Sequence, residues 1–216
     1  MGLGGVSVAS DYPEVSKDEL EKILNSLKNR FQNGDYPDYK ERIDRINRLK
    51  LLVEENSEDF HKALQNDFGT RHEQLSLLSD TLPIIASAKH VSKNLSKWMK
   101  PEKRKPNFPL GLLGAKAFIH NQPYGVVGII SPWNFPLNLS LGPLVEVFAA
   151  GNNSMMKLSE FVPETSDLTE KLVKQYFRED EVVVINGGPQ TSQSFAGLAF
   201  DHLLFTGSTH VAKKIA

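Results

Sequence analysis

Apolar residues recur at helical spacing through the first hundred positions. Ser16-Lys17-Asp18-Glu19 forms a capping box, a hydroxyl at the N-cap with a carboxylate three residues on. Leu20, Ile23, Leu24, Leu27 and Phe31 follow, and Asn33-Gly34 stops the run. Asp38 with Glu41 starts a second helix, whose stripe of Ile43, Ile46, Leu49, Leu52, Val53, Phe60 and Leu64 ends at Gly69. Thr70 with Glu73 caps a third, with Leu75, Leu78, Leu82 and Ile85 along one face. Pro83 is expected to kink or split it. The helical pattern continues to Met99, before Pro101.

From Ala115 the period changes. Residues 116–121 and 126–131 read as strands separated by Gln122-Pro123-Tyr124-Gly125. Pro136 to Ala149 reads as a helix bent at Pro143. Ser154 to Lys157 is a strand, Glu164 to Phe177 a helix and Glu181 to Ile185 a strand. Pro189 to Ala196 is a short helix, His202 to Phe205 a strand, and a helix opens at Gly207. Such alternation predicts an α/β fold with a parallel sheet and right-handed crossovers.

Charge sharpens this division. Of the 51 Lys, Arg, Asp and Glu residues, 35 lie in residues 1–105, which predicts solvent-facing amphipathic helices there and a more buried core after them. The net charge of −1 supplies no overall field for nucleic acid or anionic lipid. The basic cluster Lys97, Lys100, Lys103, Arg104 and Lys105 reads as a solvated helix end. No signal peptide, myristoylation pattern or membrane span is evident, so a cytoplasmic protein is expected. The absence of cysteine removes disulfides, Cys-ligated metals and a thiolate nucleophile from these 216 residues. The six histidines show no paired-ligand spacing, and no metal site is expected. His202 falls in a strand expected to be buried. Ser208 and His210 are too close for a Ser–His dyad.

In an open parallel sheet, ligands bind beyond the carboxyl ends of the strands. Those positions hold Ser131-Pro132-Trp133-Asn134-Phe135-Pro136, Lys157-Leu158-Ser159-Glu160, Asn186-Gly187-Gly188-Pro189 and Thr206-Gly207-Ser208-Thr209. Gly207 and Ser208, opening a helix, present backbone N–H groups to an anion or form an ordinary N-cap. Gly187-Gly188 admits a close ligand or makes a turn. Lys157 and Glu160 grip vicinal ribose hydroxyls or form a surface ion pair. Asn134, between two prolines, offers a stiff neutral donor to a developing oxyanion or satisfies loop carbonyls. Neither a GxGxxG fingerprint nor a P-loop is present.

These blocks, in this order and spacing, resemble the aldehyde dehydrogenase superfamily. The resemblance rests on Pro123 through Pro136, Gly151-Asn152, Lys157 through Glu160, Asn186-Gly187-Gly188 and Phe205 through Thr209. Asp67-Phe68-Gly69 and Trp98-Met99 are similar to the class 3 group and its coniferyl aldehyde dehydrogenase branch. The resemblance implies N-terminal helices, a partial Rossmann-like sheet and a short strand pair for oligomerisation. It implies that Asn134 holds the oxyanion, Ser131 and Trp133 line the nicotinamide side, and Lys157, Ser159 and Glu160 serve the adenosine ribose. Gly187, Gly207 and Ser208 would complete the cofactor site. Family chemistry is attack of a Cys thiolate on the aldehyde, hydride transfer to NAD(P)+, and thioester hydrolysis with a Glu as base. Glu160 beside a ribose favours NAD, with NADP an alternative. Two departures stand out. Ala212 replaces a usual glycine, and the family's Cys and Glu fall beyond the residues present.

The expected organisation is therefore a flexible N-terminus (1–15), a helical segment of the cofactor domain (16–105), a linker with a bridging strand (106–125), and a partial NAD-binding α/β domain (126–216) truncated before the catalytic domain. The parent would be a homodimer oxidising an aromatic, coniferyl-type aldehyde, and the chain alone would be inactive. Only residues near Leu137 and Leu141 are expected to reach a substrate tunnel. The alternative is a non-catalytic module that binds NAD or dimerises.

Overall fold

The structure, a computed structural model, describes residues 12–32 and 36–215. The expected stop at Asn33-Gly34 and most of the expected flexible terminus lie outside these residues. Helix α1 (Lys17–Gln32) starts as the capping box requires, with Glu19 N–H donating to Ser16 Oγ at 3.2 Å. Helix α2 (Tyr39–Glu55) starts with Glu41 N–H donating to Asp38 Oδ1 at 2.8 Å. Where periodicity predicts one helix as far as Gly69, two form. Asn56 leaves helical geometry (φ −113°), its Nδ2 donating to Leu52 O, and α3 (Ser57–Phe68) follows. Gly69, at φ +72°, closes α3 by donating to Gln65 O.

The third helical region departs further. Helix α4 (Glu73–Ser76) begins after His72 and takes no side-chain cap from Thr70. A π-helical turn (Leu77–Thr81) follows, then α5 (Leu82–Trp98). Pro83 has no N–H to give the preceding turn, and the helical run is split by the π-turn that directly precedes α5, as expected. The buried face is Ser76, Asp80, Thr81, Ile84, Ala88, Val91 and Leu95. Leu75, Leu78 and Leu82 are exposed, contrary to the expected stripe. The extra residue of a π-turn rotates the face that follows it.

Strand β1 (Glu102–Arg104) pairs antiparallel with β2 (Ala117–Ile119), so the partner of β2 comes from the basic cluster. Four parallel strands form the main sheet: β3 (Val126–Ile130), β4 (Asn153–Lys157), β5 (Val182–Ile185) and β6 (His202–Phe205), in spatial order β5-β4-β3-β6. The chain steps outward from β3 to β5, then crosses back to lay β6 on the other side of β3. His202 is exposed, because β6 is the sheet edge. Its ring stacks on Tyr124 at 5.8 Å.

One face of the sheet, carrying Val127, Ile129, Met156 and Val184, packs against α2, α3, α5 and α6 (Leu141–Ala150). The other, carrying Val126, Met155 and Ile185, packs against α1 and α8 (Pro189–Ala196). Helix α6 begins at Leu141, so Pro143 falls in its first turn and bends nothing. Helix α7 (Pro163–Tyr176) is capped from a distance: Asp67 accepts from Glu164 N at 3.0 Å and Thr165 N at 2.8 Å.

Not all the charge of the helical half faces water. Glu181, at the head of β5, is fully buried. It takes both Arg48 Nη1 and Nη2 at 2.9 and 2.8 Å, and lies 3.3 Å from fully buried Arg45. Burial raises a carboxyl pKa, but the Arg48 fork, the Arg178 N–H and the two guanidinium charges outweigh it and push Glu181 down to about 2. A depressed pKa contributes stability above the ordinary value of 4.5 that is lost as pH falls towards 2. Glu181→Gln is therefore expected to remove about 2–3 kcal/mol at pH 7 and much less near pH 3. Urea midpoints at the two pH values check this.

Candidate functional site

Because all four strands of the main sheet are parallel and in close register, their carboxyl ends share one rim. Ile130 pairs with Lys157 and Phe205, and Lys157 with Ile185. Bonds continue past the strands: Ser131 N donates to Lys157 O, Thr206 N to Ile130 O and Leu158 N to Ile185 O, at 3.1, 3.1 and 3.3 Å. The reversal of strand order lies between β3 and β6, the switch point at which an open sheet leaves a crevice.

Lys157 ends β4 and is 1% exposed. Its Nζ lies 3.5 Å from Glu160 Oε2 and also donates to Leu158 O. Burial pulls the Lys157 pKa down, while Glu160 and then Glu14 draw it back by favouring the charge. An ammonium this deeply buried is not a solvated surface pair. Ser159 is buried, and its hydroxyl accepts from Phe161 N at 3.3 Å, shaping the turn that carries Glu160. Gly187 is buried against α8, where a Cβ would meet Thr191 Oγ1 at 2.5 Å. Packing therefore accounts for this glycine.

Gly207 and Ser208 are exposed at the start of α9 (Thr209–Ile215). Ser208 Oγ accepts from Val211 N at 3.3 Å, a helix-capping bond. A cleft of about 670 Å³ opens beside them, lined by Ile130, Glu160, Pro189, Gln193, Phe205 and Val211 among others. Of the sequence-predicted site residues, only Glu160 lines it.

The Pro132–Pro136 turn leaves β3 on the side of α3 to α5. Ser131 is buried and donates from Oγ to Pro136 O at 3.3 Å. Trp133 is 53% exposed and tilts against Phe68, with ring centres 6.2 Å apart, so it does not fill core. Asn134 is exposed. Its carbonyl accepts from Arg71 Nη1 at 2.8 Å, and its side-chain amide bonds to none of the described residues. The amide is therefore not consumed by loop carbonyls. The side chains of Leu137 and Leu141 themselves are fully buried in the core.

Two residues without a motif build this turn. Arg71 and Asp80, both buried, pair directly. Asp80 Oδ1 accepts from Leu137 N at 3.2 Å and Asn138 N at 3.1 Å, while the Arg71 guanidinium lies 4.7 Å from the Phe68 ring and 5.4 Å from the Phe135 ring. Burial pushes the Asp80 pKa up, against the opposing pull of Asn138 N, Arg71 and Leu137 N. The one signal in the sequence is a carboxylate in a helical stretch among Leu77, Leu78 and Leu82. Among the described residues, no cluster of three His, Asp or Glu side chains could hold a metal, and no helix is long and apolar enough to cross a membrane.

The chain is similar to known proteins. The chain is 46% identical over 97% of its length to a probable coniferyl aldehyde dehydrogenase of Caulobacter vibrioides, and covers 43% of that protein. It is 39% identical over its full length to the coniferyl aldehyde dehydrogenase of a Pseudomonas species, covering 42% of it. The chain thus spans less than half the length of these relatives. Among solved structures, the substrate-bound state of Staphylococcus aureus AldH superposes with a TM-score of 0.85 at 29% identity, over 91% of this chain and 42% of that one. Residues 6–216 match the aldehyde dehydrogenase family, and the chain belongs to it.

Proposed function

We propose that these residues form the cofactor-binding part of a cytoplasmic NAD(P)-dependent aldehyde dehydrogenase acting on aromatic, coniferyl-type aldehydes. The observation that carries this reading is the common rim. Buried Lys157 with Glu160 lies on one side of the β3 tip, and the free amide of Asn134 lies in the turn that leaves it.

A dinucleotide fits the groups present. The 670 Å³ cleft has apolar walls at Ile130, Pro189, Phe205 and Val211, suited to a planar base. Lys157 and Glu160 supply a donor and an acceptor for the adjoining ribose diol, and Gly207 and Ser208 supply backbone N–H groups for the diphosphate. Ser131 and Trp133 would border the nicotinamide, which when bound accepts hydride. Ser159 and Gly187 act through packing, by shaping the Glu160 turn and seating α8.

The Asn134 amide donates to the aldehyde oxygen as negative charge develops there. Because its turn is clamped in advance, little reorganisation is needed during reaction. The coniferyl preference is supported by the relatives' own assignments. The nucleophile must come from outside these 216 residues, since they contain no cysteine.

Homodimer formation is supported by apolar side chains left in water around β1 and β2. Phe108, Leu112 and Leu113 are 86%, 79% and 80% exposed, and Phe118 and Ile119 about half exposed.

Calorimetric titration of NAD+ into the chain, with an assay on coniferyl aldehyde, tests the proposal. Saturable NAD+ binding is expected, lost in Lys157→Met, together with no turnover. Sustained turnover by the chain alone, or a Lys157→Met protein that binds as well as the native chain, overturns it.

A further inference from the structure

Residues 12–15 form a strap across the carboxyl end of β5. At one end, Tyr12 Oη donates to Asp167 Oδ1 at 2.7 Å and Pro163 O at 3.0 Å. At the other, Val15 N donates to Thr191 Oγ1 at 2.9 Å. Between these anchors the Glu14 carboxylate accepts from Gln190 N at 3.3 Å, Thr191 N at 2.6 Å and Thr191 Oγ1 at 2.5 Å. Glu14 thus fills the amino end of α8, where an exogenous anion would otherwise be welcomed.

This matters because of where α8 begins. It follows the tip of β5, and β5 is hydrogen-bonded to the strand that ends in Lys157. The buried Lys157 ammonium has Glu160 at 3.5 Å, and Glu14 sits one strand away at the amino end of α8, whose Pro189 and Gln193 line the cleft together with Glu160. The Thr191 hydroxyl, followed by two backbone N–H groups, holds Glu14 in its ionised form. Glu160 and Lys214 line the cleft, Lys157 pairs with Glu160, and Glu14 adds a further carboxylate at the amino end of α8.

From this we infer that Glu14 is a specificity-determining residue that favours NAD over NADP. The inference rests on the assignment of Lys157 and Glu160 to the adenosine ribose. A free 2′-hydroxyl can donate to a carboxylate. A 2′-phosphate adds about −1.5 to −2 charges and three acceptor oxygens. It meets repulsion from Glu14 as well as Glu160, and the amino end of α8 is already filled by the Glu14 carboxylate. The strap spans 176 positions of sequence to reach Thr191, so no local motif reveals it.

The test is calorimetric titration of NAD+ and NADP+ into the 216-residue chain and its Glu14→Gln and Thr191→Val variants. Glu14→Gln keeps the shape and removes the charge. It is expected to strengthen NADP+ binding about five- to tenfold relative to NAD+, the size expected for screened charges several ångströms apart. Thr191→Val keeps the Glu14 charge but removes the hydroxyl that anchors it, and should shift the preference in the same direction by clearly less than Glu14→Gln. An unchanged preference in Glu14→Gln, with NAD+ still bound, overturns the role of Glu14 alone. A shift of equal size in Thr191→Val attributes the effect to local structure and also overturns it. Failure of the native chain to bind either nucleotide overturns the ribose assignment, and this inference with it.

Discussion

Replacing Arg71 with Met is expected to destabilise the fold by about 3–5 kcal/mol at pH 8, a large part of what a domain of this size possesses. The cause is not the loss of an attraction alone. Asp80 is fully buried, and without Arg71 its charge stands uncompensated among Ile84, Leu137 and Leu141. Its pKa already lies above the ordinary carboxylate range because of burial, and losing the guanidinium raises it further. A raised acid pKa means the folded state holds the proton more tightly. Stability is then greatest at low pH and is lost as pH rises through the folded value. The penalty for Arg71→Met should therefore be smaller at pH 5 than at pH 8. Adding Asp80→Asn, which keeps an acceptor for Leu137 N and Asn138 N, should recover most of it at pH 8. Urea unfolding of the single and double variants gives both numbers. Equal losses in the two would show that an unpaired buried charge is not the cause. The chain has two tryptophans, so a Trp98→Phe background isolates Trp133. Its emission should become more accessible to quencher in Arg71→Met, reporting release of the turn from Phe68 and Arg71.

Asn134→Ala is expected to lower kcat by about 10²- to 10³-fold with little change in KM, the cost of removing one preorganised oxyanion donor. The measurement needs a complete enzyme, for example residues 1–216 joined to the remaining part of the Caulobacter relative. Asn134→Asp should be at least as damaging, because it places a negative charge where another develops. Nucleotide affinity should hold in both variants, since the proposed role of the Asn134 amide is toward the aldehyde oxygen and not toward the nucleotide. A tenfold or smaller fall in kcat for Asn134→Ala would remove the oxyanion role. Arg71→Met in the same enzyme should reproduce part of the loss, because Arg71 donates to the Asn134 carbonyl and so holds the turn that carries its amide.

Local signals located most elements. The Ser16 hydroxyl and the Asp38 carboxylate cap their helices as the sequence predicts. The βα alternation predicts the four parallel strands to within a residue or so. The break at Asn56 is local, but at the third helical region and at His202 the competing interaction was nonlocal. The leucines at 75, 78 and 82 satisfy helical periodicity, yet the face that packs carries Asp80, because that carboxylate is needed by backbone N–H groups near residue 137. His202 reads as buried from its apolar neighbours and is exposed because β6 crosses to an edge.

The residues of the candidate site divide the same way. Asn134, Lys157 and Glu160 could be singled out as candidates because prolines, a strand end and a three-residue spacing are features of contiguous sequence. Arg71, Asp80, Glu14 and Thr191 could not, because each acts on a partner brought near by folding. Helix α7 takes its cap from Asp67, 97 positions away, and α8 takes its cap from Glu14. Covalent geometry and side-chain periodicity act over a few residues, so the order of elements and the chemistry at each strand tip were determined by the chain itself. Burial of charge and the pairing of distant backbone groups depend on which surfaces meet. The clamp on the Asn134 turn and the strap beside Lys157 were therefore decided only by the tertiary structure.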